Sequence, residues 1–237
     1  MEDQIILVDK PAGISSFGVV AKVRAKLRDE FGHKIKVGHT GTLDPFATGL
    51  LILLSGKMTK KSGEFLKLDK EYIADLKLGF VSSTGDTEGE IQEYINLEPR
   101  HSRPSPRGER ANPRAAALQN APNQHILEST LESFVGEIEQ IPPKFSIIKI
   151  NGQRAYKLAR NGADFEIPSR KVTIYSIDIL EYKYPMLKIR CHVSSGTYIR
   201  TLAEDIGKKL GTGAYLTSLR RTKIGSYDVK DAIMDLC

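Results

Sequence analysis

The chain has 237 residues, 40% hydrophobic and 27% charged, the balance of an ordinary globular protein able to bury a substantial core. Its longest apolar run, Leu50 to Leu54, is strand length, far short of the roughly 18–20 residues a membrane helix needs. A net charge of +6 permits a polyanionic partner without demanding one.

The opening MEDQI has no basic n-region followed by an apolar h-region, so no signal peptide is expected and the expected compartment is the cytoplasm. Cys191 and Cys237 alone make no disulfide framework and fit a reducing milieu. There is no CxxC or HExxH pattern, and Gly56-Lys57 lacks the flanking residues of a phosphate-binding loop. No metal and no nucleotide cofactor is expected. No long apolar heptad suggests a dimer seam, and a monomer is expected.

In chain order, Ile5 to Val8 is a short strand closed by Asp9-Lys10-Pro11. Ser15 and Ser16 are candidate caps for a helix with Val20, Val23, Leu27 and Phe31 at helical spacing. A glycine-punctuated loop at 38–49 leads into the apolar strand Leu50–Leu54, and Lys60 to Leu68 reads as a short helix. Tyr72, Ala74, Leu76, Leu78 and Phe80 alternate along one strand face.

Residues 99–124 lack periodicity and hold Arg100, Arg103, Arg107, Arg110 and Arg114, which reads as a flexible basic insertion. Leu127 to Phe134 is helical, and Val172–Leu180 and Leu187–Val193 are strands. Thr201 to Leu210 is a helix with Leu202, Ile206 and Leu210 on one stripe and Gly211 at its end. Arg220, Arg221 and Lys223 form a second basic cluster, either an exposed helix end or a set of phosphate contacts. Strands and helices interspersed without a βαβ rhythm point to an α+β fold with a mixed or antiparallel sheet and flanking helices.

On its own, Asp44 beside Pro45 in a glycine loop is turn chemistry more often than catalysis. Arg200 has two readings as well, a surface pair with Glu204 one helical turn away or a partner for a carboxylate elsewhere. Six segments alter that balance: VDKPAGISS (8–16), VGHTGTLDPFATGLL (37–51), KEYIADLKLG (70–79), IPPKFSIIKINGQRAYKLARNG (141–162), GTYIRTLAEDIGKKLG (196–211) and LRRTKIG (219–225). Together and in this order they resemble the TruB family of tRNA pseudouridine synthases, from about residue 5 to about residue 230.

The resemblance implies a pseudouridine synthase fold in a single catalytic domain over 1–237, with an RNA-clamping insertion at 141–170. It implies that uridine is isomerised in the T-loop of tRNA, at position 55, without a cofactor. Asp44 is then the catalytic carboxylate, with Arg200 and Tyr72 completing the catalytic set. An adjacent arginine lowers an aspartate pKa by about 1–3 and can grip both oxygens.

The resemblance further implies that His39 fills the gap left by the flipped base and that Tyr198 and Leu219 line the uracil pocket. Lys149, Arg154, Arg160, Arg220 and Arg221 would contact RNA. The residues alone leave His39 as a loop histidine with a local hydrogen bond, Tyr72 and Tyr198 as packing, and Leu219 as a core partner of Leu216 at +3 spacing. The motifs run out near Cys237, so a C-terminal RNA-binding domain of PUA type is expected to be absent, with 99–124 supplying substitute phosphate contacts. The chief rival is a tRNA-binding or RNA-folding protein that has lost catalysis. A hydrolase using Asp44 is disfavoured because no second carboxylate is evident beside it to act as acid.

Overall fold

The computed structural model describes residues 2–94, 121–150 and 152–232; most of the 99–124 insertion lies outside the described residues. The chain runs β1 (Ile5–Lys10), α1 (Ser16–Phe31), β2 (Val37–His39) and β3 (Thr48–Ser55), then a 3-10 turn (Gly56–Lys61) and α2 (Ser62–Leu66). It continues with β4 (Lys70–Leu78), β5 (Phe80–Ser82), β6 (Ile91–Glu93), α3 (Gln124–Glu132) and β7 (Gly136–Gln140). After β8 (Lys149–Ile150), β9 (Gln153–Arg154) and α4 (Ala155–Arg160) come β10 (Arg170–Lys183), β11 (Met186–Val193), α5 (Ile199–Leu210), β12 (Ala214–Ile224) and β13 (Tyr227–Asp228).

Among the described residues the main sheet has the order β1-β3-β12-β4-β11-β10-β7, with β2 on β3 and β13 on β12. Its pairs are antiparallel except β12–β3, so the sheet is mixed, in an α+β fold. Clean alternation marks β4 and β11, each with one face in the core and the other outward. β3 does not alternate because both of its faces are covered. Leu51 and Leu53 pack with Val19, Val20 and Val23 of α1, whereas Leu50, Ile52 and Leu54 pack with Phe65 and Ile224.

Helix α1 starts where the Ser15 hydroxyl accepts the Gly18 N–H at 3.0 Å and ends at left-handed Gly32. Helix α5 lays Leu202, Ile206 and Leu210 onto the largest core cluster with Leu76, Leu78 and Leu187. Truncating any of these buried leucines to alanine costs about 2–5 kcal/mol.

Three expectations change. The strand from Tyr72 stops at Leu78, because Gly79 takes a φ of +84° and Phe80 joins a separate hairpin of β5 and β6. Lys60 to Leu68 is a 3-10 turn followed by the short helix α2. Residues 214–224, including the basic cluster, are no helix end: they form the central strand β12, with a bulge between Leu216 and Ser218. The extra residue lets Leu216 and Leu219 share the core face at a spacing of three, which imitates helical periodicity.

One glycine is obligatory for this topology. Gly49 sits at φ +103° opposite Arg221, and a Cβ there would lie 2.2 Å from the Arg221 carbonyl oxygen. Only glycine lets β3 and β12 pair at that point.

Candidate active site

The loop from His39 to Ala47 is held from several sides. The Ser16 hydroxyl, at the start of α1, donates to the Leu43 carbonyl at 2.9 Å and accepts the Leu43 N–H at 2.8 Å. The Thr40 N–H reaches the Ile52 carbonyl at 3.0 Å, and the Gly13 N–H reaches the Pro45 carbonyl at 2.8 Å. Lys10, fully buried, donates to the carbonyls of Pro11 and Ile14 at 2.8 Å and of Pro45 at 3.2 Å. Burial pulls the Lys10 pKa down to about 8 against the attraction of Asp44.

Arg221 is a further pin, and here the expectation is corrected. It is 1% exposed, and its guanidinium donates to the carbonyls of Leu50 (2.8 Å), Gly41 (3.3 Å) and Thr42 (3.4 Å). A guanidinium enclosed and spent on carbonyls is not offered to a phosphate. Its work is to hold the loop and, by its charge, to oppose the effect of burial on the Tyr72 phenol. Arg220, partly exposed, pairs bidentately with Asp9 at 3.1 and 2.6 Å.

Asp44 stands out from this braced loop with a third of its side chain exposed. Arg200, 5% exposed, comes from the first turn of α5. Its Nε lies 3.1 Å from Asp44 Oδ2 and its Nη1 lies 3.3 Å from Asp86 Oδ2, while Glu204 is not among its ion pairs. Nη1 also donates to the Thr84 carbonyl at 3.1 Å, and Nη2 to the Phe145 carbonyl at 3.0 Å. The fork is therefore shared between two carboxylates and two carbonyls; it does not close on Asp44 alone.

A second carboxylate, Asp86, shares Arg200 with Asp44. The sequence hides it in another glycine turn, STGDTEG at 83–89, where it reads as loop chemistry. Its carboxylate is almost wholly buried and accepts from Thr84 Oγ1 at 2.6 Å and the Glu88 N–H at 2.9 Å. A carboxylate so enclosed and so supplied with donors is an acceptor anchoring Arg200, not an acid facing a substrate.

The sign of the Asp44 shift is also corrected. Burial raises its pKa above the ordinary 3.8; Arg200 opposes this, Asp86 adds to it, and burial wins. The folded protein thus holds the Asp44 proton more tightly than the unfolded chain does. That contribution to stability is present below the unfolded pKa and is lost as pH rises through the folded one. A reaction needing the carboxylate should therefore rise with pH to half its plateau above pH 3.8, in single-turnover rates across the acid range. A midpoint below 3.8 would mean that Arg200 dominates instead.

Tyr72, on the inward face of β4, shares an apolar cluster with Leu43, Ala47, Ile199 and Leu219, so Tyr72 and Leu219 are gathered at the Asp44 loop. Burial raises the Tyr72 phenol pKa, opposed by Arg221. Tyr198 caps α5, with the Arg170 guanidinium 4.6 Å above its ring. His39 ends β2 with Nδ1 accepting the Gly41 N–H at 3.4 Å; burial, then Arg221, lowers its pKa and leaves it neutral.

Lys149 and Arg154 face each other across the β8–β9 hairpin, exposed, and Arg160 lies 5.7 Å from the Tyr156 ring on α4. No metal-binding cluster of His, Cys, Asp or Glu occurs among the described residues, and no described helix is long and apolar enough to cross a membrane.

This geometry can be set beside known proteins. Residues 28–105 and 106–199 match the TruB family pseudouridylate synthase N-terminal domain, and residues 200–236 match the tRNA pseudouridylate synthase B C-terminal domain. The chain is 42% identical to tRNA pseudouridine synthase B of Phocaeicola vulgatus, over 98% of this chain and 90% of that one. It is 42% identical to the protein of the same name from Flavobacterium johnsoniae, over 98% and 93% of the two chains.

Among solved structures it is similar to a Cbf5-Nop10-Gar1 complex, with a TM-score of 0.63 and 25% identity over 98% of this chain. It spans about half, 52%, of the length of that chain. Family models that together cover residues 28–236 lie over a braced Asp44 paired with Arg200, and the chain belongs to the TruB family of pseudouridylate synthases.

Proposed function

We propose that this chain isomerises uridine to pseudouridine in tRNA with Asp44 as the catalytic carboxylate, acting on the T-loop at position 55. The N1–C1′ bond breaks, the uracil turns, and C5 bonds to C1′; C5 loses a proton and N1 gains one. No electron is exchanged with a second reactant, so no cofactor is called for. The observation that carries the reading is Asp44 on a rigid loop, held at one oxygen by a buried arginine. Since Arg200 engages Oδ2, we assign Oδ1 to the sugar or base. Attack at C1′, addition at uracil C6 and proton loss from C2′ all start from that ionised oxygen.

A uridine within a folded T-arm must leave its stack to reach this loop, at a cost of a few kcal/mol. Tyr72 and Leu219 are the proposed walls for the flipped base, with Tyr198 beside them and neutral His39 facing the vacated space. We assign the whole chain to one catalytic domain acting as a monomer in the cytoplasm, with 141–170 as its RNA-clamping insertion. Opposed like charges such as Lys149 and Arg154 repel in the free protein, and a phosphate between them relieves that cost. Replacing Lys149, Arg154 and Arg160 together with alanine should weaken tRNA binding and lower the slope of log K against log salt by about two to three. An unchanged slope in filter-binding titrations would remove these residues from the interface.

The decisive test uses unmodified tRNA carrying tritium at uridine C5. Tritium released from an intact chain means isomerisation. Free uracil would mean hydrolysis, and tight binding with neither product would mean a binding or RNA-folding protein.

A further inference from the structure

Arg200 must meet two carboxylates and two carbonyls at once, so the backbone that carries it has to be held still. It is the second residue of α5, and Tyr198, which caps that helix, has no side-chain cap of its own. The cap comes from far away in sequence. Gln140, the last residue of β7, is 1% exposed. Its Oε1 accepts the Tyr198 N–H at 2.8 Å and its Nε2 donates to the Tyr198 carbonyl at 3.0 Å.

The segment after Gln140 follows the same helical turn. The Ile141 carbonyl accepts from the Thr201 hydroxyl at 3.4 Å, and the Phe145 carbonyl accepts from Arg200 Nη2 at 3.0 Å. Pro142 and Pro143, with φ fixed by their rings, stiffen the stretch between those contacts. Across the sheet, Arg170 is the register partner of Gln140; it covers the Tyr198 ring and donates to the Gly196 carbonyl.

We propose that Gln140 is a positioning residue for the isomerase: its side-chain amide clamps the Tyr198 backbone and so aims Arg200 at Asp44 and Asp86. The inference rests on the proposed function and deepens it. The chemistry is specific to a primary amide on a two-carbon stem. Asparagine is a carbon too short, methionine offers neither hydrogen bond, and ionised glutamate sets an acceptor against the Tyr198 carbonyl. Protonated glutamate regains both a donor and an acceptor. Arg170 is the charged group facing this position from the neighbouring strand, and it favours the ionised form.

The test compares Gln140→Met and Gln140→Glu with wild type in single-turnover tritium release from C5-labelled tRNA, with tRNA Kd by filter binding. Both variants should lose about tenfold or more in rate, as expected for a misplaced reacting geometry, with Kd within about twofold of wild type. For Gln140→Glu, burial raises the carboxyl pKa and Arg170 lowers it, and the rate relative to wild type should climb as pH falls far enough for the carboxyl to regain its proton. A folded Gln140→Met with wild-type rate, or a loss matched by weakened Kd, would overturn the proposal.

If Gln140→Met fails to fold, Gln140→Asn decides, and a folded Gln140→Asn with wild-type rate overturns it. A wild-type protein that releases no tritium sinks the isomerase reading and this inference with it. Active wild type with insensitive variants sinks the inference alone.

Discussion

Asp44→Asn should abolish tritium release, by about 10⁴-fold or more, while tRNA affinity stays near wild type. The substitution keeps the shape of the side chain and removes the charge, so the loop should survive. Its braces, Ser16 on Leu43, Arg221 on Gly41 and Thr42, and Lys10 on Pro45, are made to backbone groups the mutation does not touch. The oxygen bonded to Arg200 can be replaced by the amide oxygen at a weaker, neutral contact. Removing the charge also removes the cost of burying it, so the variant should be as stable as wild type or more so at pH 7. Full activity in the asparagine variant would refute the central assignment.

The second large effect belongs to Arg200. Replacing it with methionine leaves Asp44 and Asp86 facing each other without their shared cation, with Asp86 almost wholly buried. Breaking a buried pair in this way costs about 3–5 kcal/mol, because one partner remains charged and uncompensated. Urea unfolding should show that loss, and adding Asp86→Asn should recover part of it, a coupling a double-mutant cycle measures. Arg200→Lys tests a different property. One ammonium cannot reach two carboxylates and the carbonyls of Thr84 and Phe145, so charge survives while aim is lost. Its rate should fall about 10²-fold with a smaller loss of stability; stability and rate equal to wild type in both variants would show the fork to be dispensable.

The parts of the fold legible in the sequence are those that local periodicity controls. The period-two alternation of Tyr72 to Leu78 and of Leu187 to Val193, and the helical spacing of Leu202, Ile206 and Leu210, each appear as solid elements. What the sequence conceals depends on pairing between distant segments. β12 looked helical because its bulge put Leu216 and Leu219 three apart on one face. Arg221 looked like a surface cation because nothing near it in sequence shows that β3 will cover it.

The site divides along the same line. Asp44, Tyr72 and Arg200 were legible through motifs from separate segments, and the structure gathers them, whereas Asp86, Lys10 and Gln140 were not singled out. Each of those three does its work through neighbours at least 35 positions away or in an unremarkable turn. The Asp44 shift is instructive in the same way. A neighbouring arginine can be guessed from a motif, but the burial that outweighs it exists only after packing.

The place of β12 in the sheet bears on how the protein is made. Its strand is among the last of the described chain, yet it lies between β3 and β4, which appear among the first. A ribosome-bound chain that has not yet delivered residues 214–224 therefore has two half-sheets with open edges at their intended seam. Its Asp44 loop lacks Arg221, and the apolar cluster of Leu43, Ala47 and Tyr72 lacks Leu219. Domains commonly fold from the N-terminus as they emerge, but here the sheet can close only once residues 214–224 have been delivered. Pairing partners so distant in sequence make a slow, high-contact-order step, so uridine-modifying activity on nascent chains should appear abruptly once that strand is released.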